Sequence, residues 1–101
     1  MEKGQKCFIA YDDNDLKSGS FLFEGETHTM GNALRQTIVS NPDVDFAAYS
    51  VPHPAESKMK LRIQCNDSTN IIEAVNRGLD NFAQWCQNVE IEFDAAVAPL
   101  L

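Results

Sequence analysis

A chain of 101 residues makes one small domain, with room for a hydrophobic core but little stability to spare. Fifteen acidic side chains against eight basic ones leave a formal charge of −7, which repels phosphate backbones and argues against direct nucleic-acid binding. No window approaches the roughly 20 apolar residues of a membrane span and the N-terminus lacks an apolar signal run, so the expectation is a soluble intracellular protein.

Residues 6–11 (KCFIAY) suit a short strand and residues 20–24 (SFLFE) a second. Between them, residues 12–19 (DDNDLKSG) carry turn chemistry and predict a hairpin with a loose acidic loop. A first helix follows, with Thr27 or Thr29 able to cap it through a hydroxyl. Met30, Leu34 and Ile38 lie four apart on one face of it, with Val39 beside Ile38. Asn41-Pro42 ends it, since the residue before proline avoids helical geometry. Residues 44–51 (VDFAAYSV) read as a strand that His53-Pro54 breaks. Met59, Leu61, Ile63 and Cys65 then alternate with Lys60, Arg62 and Gln64, a period of two that buries one face and wets the other. The basic cluster Lys58, Lys60 and Arg62 reads as that solvated face.

The last third has a different rhythm. Asn70, with Glu73 three residues on, resembles a capping box. From there Ile72, Val75, Leu79, Phe82, Cys86, Val89 and Phe93 recur at alternating intervals of three and four, a heptad seam. The stretch 89–93 (VEIEF) also alternates like a strand, but the seam runs through it and Ala95-Ala96 continue with helix formers. Burying each seam side chain is worth roughly 1.5–3 kcal/mol. Ile71, Phe82 and Trp85 add apolar surface around the helix, more than a sheet of short strands hides. Part of this helix is therefore expected to meet another chain; the competing reading packs all of it on its own sheet. The elements together predict one α+β domain over residues 1–101, a four-stranded, mainly antiparallel sheet with two helices in the order β-β-α-β-β-α.

The chain carries little that suggests catalysis. His28 precedes a helix, where a local hydrogen bond is usual, and His53 lies between two prolines. Neither has a Ser or Cys in a nucleophile motif. Cys7, Cys65 and Cys86 are odd in number and widely spaced, and read as reduced thiols rather than a disulfide framework or a zinc site. A calcium loop starting at Asp13 would use Asp15 and Glu24. Lys17 then falls where an oxygen donor is needed and Ser18 where glycine is needed, so the segment reads as a solvated turn. Gly31-Asn32 is a weak anion site at most. No cofactor and no metal are expected.

Gly31 lies in the first turn of the first helix, where glycine costs roughly 1 kcal/mol relative to alanine. Lacking Cβ, it permits close approach by another element. The surrounding motifs HTMGNALR, NPDVDF, AYSVPHP and ESKMKLRIQ lie in order within residues 28–64, followed by Val75 and Gly78-Leu79 in the long helix. Over about residues 20–97 this order resembles the small alpha-like subunits of eukaryotic RNA polymerases. The form HP-x-ESK-x-x-LRIQ (residues 53–64), with GNALR, favours the type shared by polymerases I and III over its polymerase II counterpart.

The resemblance implies a fold like the dimerisation domain of the bacterial alpha subunit, in which a partner's helices complete the core. It implies a subunit with no active site that pairs with a larger alpha-like subunit. The pair is then an assembly platform for the large subunits, chiefly the second largest, in rRNA, 5S rRNA and tRNA synthesis in the nucleus, including the nucleolus. Carried over, residues 29–35 match the helix motif near those contacts. The expected interface takes Met30, Gly31, Asn32, Leu34, Arg35 and Ile38 from the first helix. From the second it takes Ile72, Val75, Leu79, Phe82, Cys86, Val89 and Phe93. Bacterial alpha has two consecutive arginines in the first helix where this chain has Arg35-Gln36, which puts a large-subunit contact by the second in doubt. Thr27 stands where an acidic residue is usual and Met30 where leucine is, and neither change threatens the fold. The chain ends soon after the long helix, so no DNA-binding domain is expected to follow. The alternatives are the polymerase II counterpart and a stand-alone homodimeric adaptor.

Overall fold

The computed structural model describes residues 7–12 and 15–101. Strand β1 (Cys7–Asp12) pairs with β2 (Asp15–Glu24), β2 with β4 (Lys58–Cys65), and β4 with β3 (Val44–Ser50). The sheet order is β1-β2-β4-β3 and every pairing is antiparallel. Helix α1 (His28–Val39) connects β2 to β3, and α2 (Ile71–Val97) follows β4, with a 3₁₀ turn at Ala98–Leu100. This is an α+β architecture in the expected element order, the fold that the resemblance implies. No helix among the described residues is long and apolar enough to cross a membrane.

The alternating strand is central for a physical reason. Met59, Leu61 and Ile63 of β4 are fully buried, while Lys60 and Gln64 face solvent. In register, Phe21 of β2 and Tyr49 of β3 flank Leu61, so one row of the inner face is apolar across three strands. Both helices lie on that face. Leu34 and Ile38 of α1 and Ile71, Ala74 and Val75 of α2 complete the core.

Two local expectations change. The expected loose loop over 12–19 does not extend through residues 15–19, because β2 begins at Asp15, opposite Asp12. Ser18 is opposite Gln64, and Gly19 is buried between Tyr11 and Ile63. Pairing on both edges outweighs the modest turn preference of these residues. Lys6, Asp13 and Asn14 lie outside the described residues. Thr27 does occupy the N-cap of α1 in extended conformation, but its hydroxyl makes no capping bond, and Thr29 is already inside the helix. The carbonyl of Thr27 accepts from Gly31 N–H at 2.9 Å.

The connections are specified side chain by side chain. Gly25, at φ +84°, takes the left-handed turn out of β2 that a Cβ would strain, and its N–H donates to the Ser57 carbonyl at 2.6 Å. Asn41 is buried at the end of α1, where its side-chain oxygen accepts from Asp43 N–H at 3.0 Å. Asn66 N–H donates to the Asp43 carbonyl at 3.0 Å, tying the α1–β3 turn to the start of the β4–α2 turn. The Asn70 side chain accepts from Glu73 N–H at 2.9 Å, the N-cap bond expected for α2.

Candidate partner-binding surface

Helix α2 has 27 residues, about 40 Å at 1.5 Å per residue, and the sheet covers only its beginning. Ile71, Ala74, Val75 and Gly78 are buried, Phe82 is half-buried, and every residue from Ala83 to Ala96 is exposed. The chain measures 56 × 37 × 26 Å with a radius of gyration of 16.1 Å. A compact chain of this length has a radius near 13 Å, so the free part of α2 stands out from the body. A helix packed wholly on its own sheet is not what forms.

Most of the heptad seam lies within the open surface of α2. Ile72, Leu79, Cys86, Val89 and Phe93 are all exposed, Leu79 and Val89 by 42% and Phe93 by 63%. Phe82 bridges the body and the free part, its ring stacked on Trp85 at 6.1 Å between centroids and 10° between planes. An open groove of about 670 Å³ runs beside this pair, with Ala33, Gln36 and Thr37 of α1 on one wall and Phe82 and Trp85 on the other. Exposed apolar side chains in a row beside a groove mark a candidate interaction surface.

Four of the expected interface residues belong elsewhere. Leu34 and Ile38 are 1% and 0% exposed, and Gly31 and Val75 are also buried within the chain, so none offers surface to a partner. The alternation that places them on an apolar face is the one that seats both helices on the sheet. Met30 is half-buried against the same core. Asn32 is exposed and its side-chain oxygen accepts from the guanidinium of half-buried Arg35 at 2.9 Å. Trp85, exposed on α2 and stacked on Phe82, is not among the interface residues expected from the sequence. It lies off the strict three-four spacing, and its signal is the aromatic pair it makes with Phe82 at i, i+3.

The close approach expected at Gly31 is made within the chain. A Cβ there would lie less than 3.0 Å from ring atoms of Tyr49 on β3. Gly78 does the same for α2, where a Cβ would be 2.6 Å from Cγ1 of Ile38 on α1. Two glycines, one in each helix, thus let the helices settle onto the sheet and onto each other.

Several of the titratable side chains have structural partners. His28 Nδ1 lies 3.1 Å from the Tyr49 hydroxyl, a contact between elements rather than the local bond expected. The His53 carbonyl accepts from Glu56 N–H at 3.1 Å in the β3–β4 turn. Asp15 accepts from Lys17 N–H at 3.0 Å, and Glu24 faces Lys58 at 3.9 Å. Asp13 of the candidate calcium loop lies outside the described residues, among which no cluster of three or more metal-binding side chains occurs. Lys17 pairs with Asp67 at 3.0 Å, and Lys58 with Glu56 at 3.4 Å, both at the surface where such pairs contribute little.

No cysteine is in a disulfide. Burial pushes the Cys65 thiol up from its ordinary value, with Asp45 and Asp43 adding to the shift, whereas Cys86 is exposed on the seam. Iodoacetamide at neutral pH is therefore expected to label Cys86 well before Cys65, because the thiolate is the reacting form. Peptide mapping by mass spectrometry checks this, and a bound partner should slow labelling at Cys86 alone.

Comparison with known proteins agrees with this geometry. Residues 18–92 match the model of the RNA polymerase Rpb3/Rpb11 dimerisation domain. The RNA polymerases I and III subunit RPAC2 of Schizosaccharomyces pombe is 44% identical over 79 residues, which is 78% of this chain and 63% of that protein. The chain thus spans less than two-thirds of that relative. The RNA polymerase II subunit rpb11 of Dictyostelium discoideum is 31% identical, over 92% of this chain and 78% of that one. The fold resembles RNA polymerase subunit L of Thermoplasma acidophilum, with a TM-score of 0.73 at 15% identity, covering 94% of this chain and 93% of the other.

Proposed function

Because the chain belongs to the RNA polymerase Rpb3/Rpb11 dimerisation-domain family, we propose that it pairs with a larger alpha-like subunit as a structural part of RNA polymerases I and III. It is a non-catalytic member of that family. The pair forms the assembly platform for the large subunits, chiefly the second largest, in rRNA, 5S rRNA and tRNA transcription in the nucleus, including the nucleolus. The observation that carries this reading is the seam of α2, whose residues beyond Val75 are left open by the chain's own sheet. On that surface Ile72, Leu79, Phe82, Cys86, Val89 and Phe93 are the partner contacts, with Trp85 beside them. Met30, Asn32 and Arg35 of α1 border it. Higher identity to the polymerase I and III relative than to the polymerase II one supports the assignment between them.

Affinity purification of the tagged chain tests the reading. The larger alpha-like subunit and the large subunits of polymerases I and III should co-purify; large subunits of polymerase II alone would reassign it. Overexpressed by itself, the chain should aggregate as its concentration rises and be rescued by the larger subunit, staying soluble only when dilute, whereas a homodimer stable and soluble at high concentration would favour an adaptor. With a charge of −7 on this chain, the purified subunit or pair should bind duplex DNA more weakly than micromolar at about 150 mM salt, because basic contacts supply non-specific affinity. A fluorescence titration that gave tighter binding would contradict this.

A further inference from the structure

From Gly78 to Leu101 the chain has no Lys, Arg or His, and its charged side chains are Asp80, Glu90, Glu92 and Asp94. Two of these have particular places in the heptad. Glu90 follows seam residue Val89 and Glu92 precedes seam residue Phe93, so they occupy the two positions that border a seam, from which side chains reach across to a paired helix. Both are exposed, as are Val89 and Phe93. No ion pair among the described residues involves either glutamate.

A second copy of this chain would meet these glutamates with like charge. Its α2 contains a single base, Arg77, which follows the seam by two positions and lies off its borders. In its α1 the one arginine, Arg35, already donates to Asn32. Self-pairing would bury the same apolar stripe with no base at its borders, and with like charge wherever the Val89–Phe93 segments of the two copies meet.

We infer that the borders of the seam choose the partner. The stripe ending at Val89 and Phe93 takes an amphipathic helix from a different chain whose apolar positions are bordered by Lys or Arg, and Glu90 and Glu92 disfavour a second copy of this chain. The inference rests on the pairing role proposed above and adds the chemistry that makes the pairing unequal. Charge at these borders acts through the difference between right and wrong partners as well as through attraction.

The test has two arms, and both use the full-length chain. In the first, E90K/E92K is mixed with wild type, and self-association is measured by analytical ultracentrifugation. The mixture should pair about tenfold more tightly than wild type alone, and the advantage should fade between about 0.1 M and 1 M salt. Equal association of wild type alone and in the mixture would overturn the inference. In the second arm, the larger alpha-like subunit is titrated with wild type, E90Q/E92Q and E90K/E92K. Affinity should fall in that order, with charge reversal costing about tenfold or more. Unchanged affinity across the three would also overturn it. If wild type fails to bind the larger subunit, the pairing role is wrong, while the first arm still decides whether the borders select. The exposed positions make misfolding of the variants easy to rule out by circular dichroism.

Discussion

Leu79→Asp is expected to leave the chain folded and to abolish its pairing with the larger alpha-like subunit, and Phe82→Asp to do the same with some loss of stability. Leu79 is 42% exposed and lies outside the core, so a carboxylate there remains hydrated in the free chain. In a pair that closes over the seam, the same carboxylate would be enclosed without a partner charge. An uncompensated buried charge costs about 3–5 kcal/mol, and the lost apolar burial adds about 1.5–3 kcal/mol. At 1.4 kcal/mol per tenfold, the lower bound of the buried-charge cost alone removes about two orders of magnitude in affinity. Phe82 is half-buried and stacked on Trp85, so its replacement also opens the groove between the helices. Native mass spectrometry of the co-expressed pair reads the result. An intact heterodimer with both variants would remove the seam from the interface.

The same distinction between a chain's own core and its open surface explains how far the sequence could be read. The period of two in β4 and the three-four period in α2 identify which side chains are apolar-facing, and both elements form where those periods place them. Periodicity does not say what lies opposite. Ile38 and Val89 recur with equal regularity, yet Ile38 is enclosed by the sheet and α2 while Val89 faces water. The difference depends on where the sheet ends beneath α2, a tertiary fact absent from any local window. The segment from Asp15 to Gly19 departs from its turn-like composition for a related reason. Its composition favours turns, but pairing to β1 and β4 holds it extended. Gly31 was recognisable as a close approach, and the ring that approaches it, Tyr49, lies 18 residues away on β3.

Gly78→Val is expected to destabilise the chain itself, and Gly31→Val to do so less. At Gly78 an added Cβ would be 2.6 Å from Cγ1 of Ile38, a side chain with no exposed surface and so nowhere to retreat. Overpacking of this kind costs about 1–3 kcal/mol even where the neighbours can adjust. Alanine at Gly78 regains up to about 1 kcal/mol of helix propensity, so its net loss should be the smaller one. Gly31 differs because its neighbour can move. Tyr49 is half-buried, and swinging its ring away costs the contact between its hydroxyl and His28, about 1 kcal/mol for a hydrogen bond. Gly31→Ala should therefore lie close to wild type, and Gly31→Val between that and Gly78→Val. Gln36→Ala, on the open side of α1, should change stability little. Urea unfolding of the purified variants gives the order, and capture of the larger subunit per folded molecule separates folding from pairing. If Gly31→Val unfolds like wild type but fails to capture the partner, the glycine serves the interface rather than the fold. If Gly78→Val is as stable as wild type, the two helices do not cross where the structure brings them together.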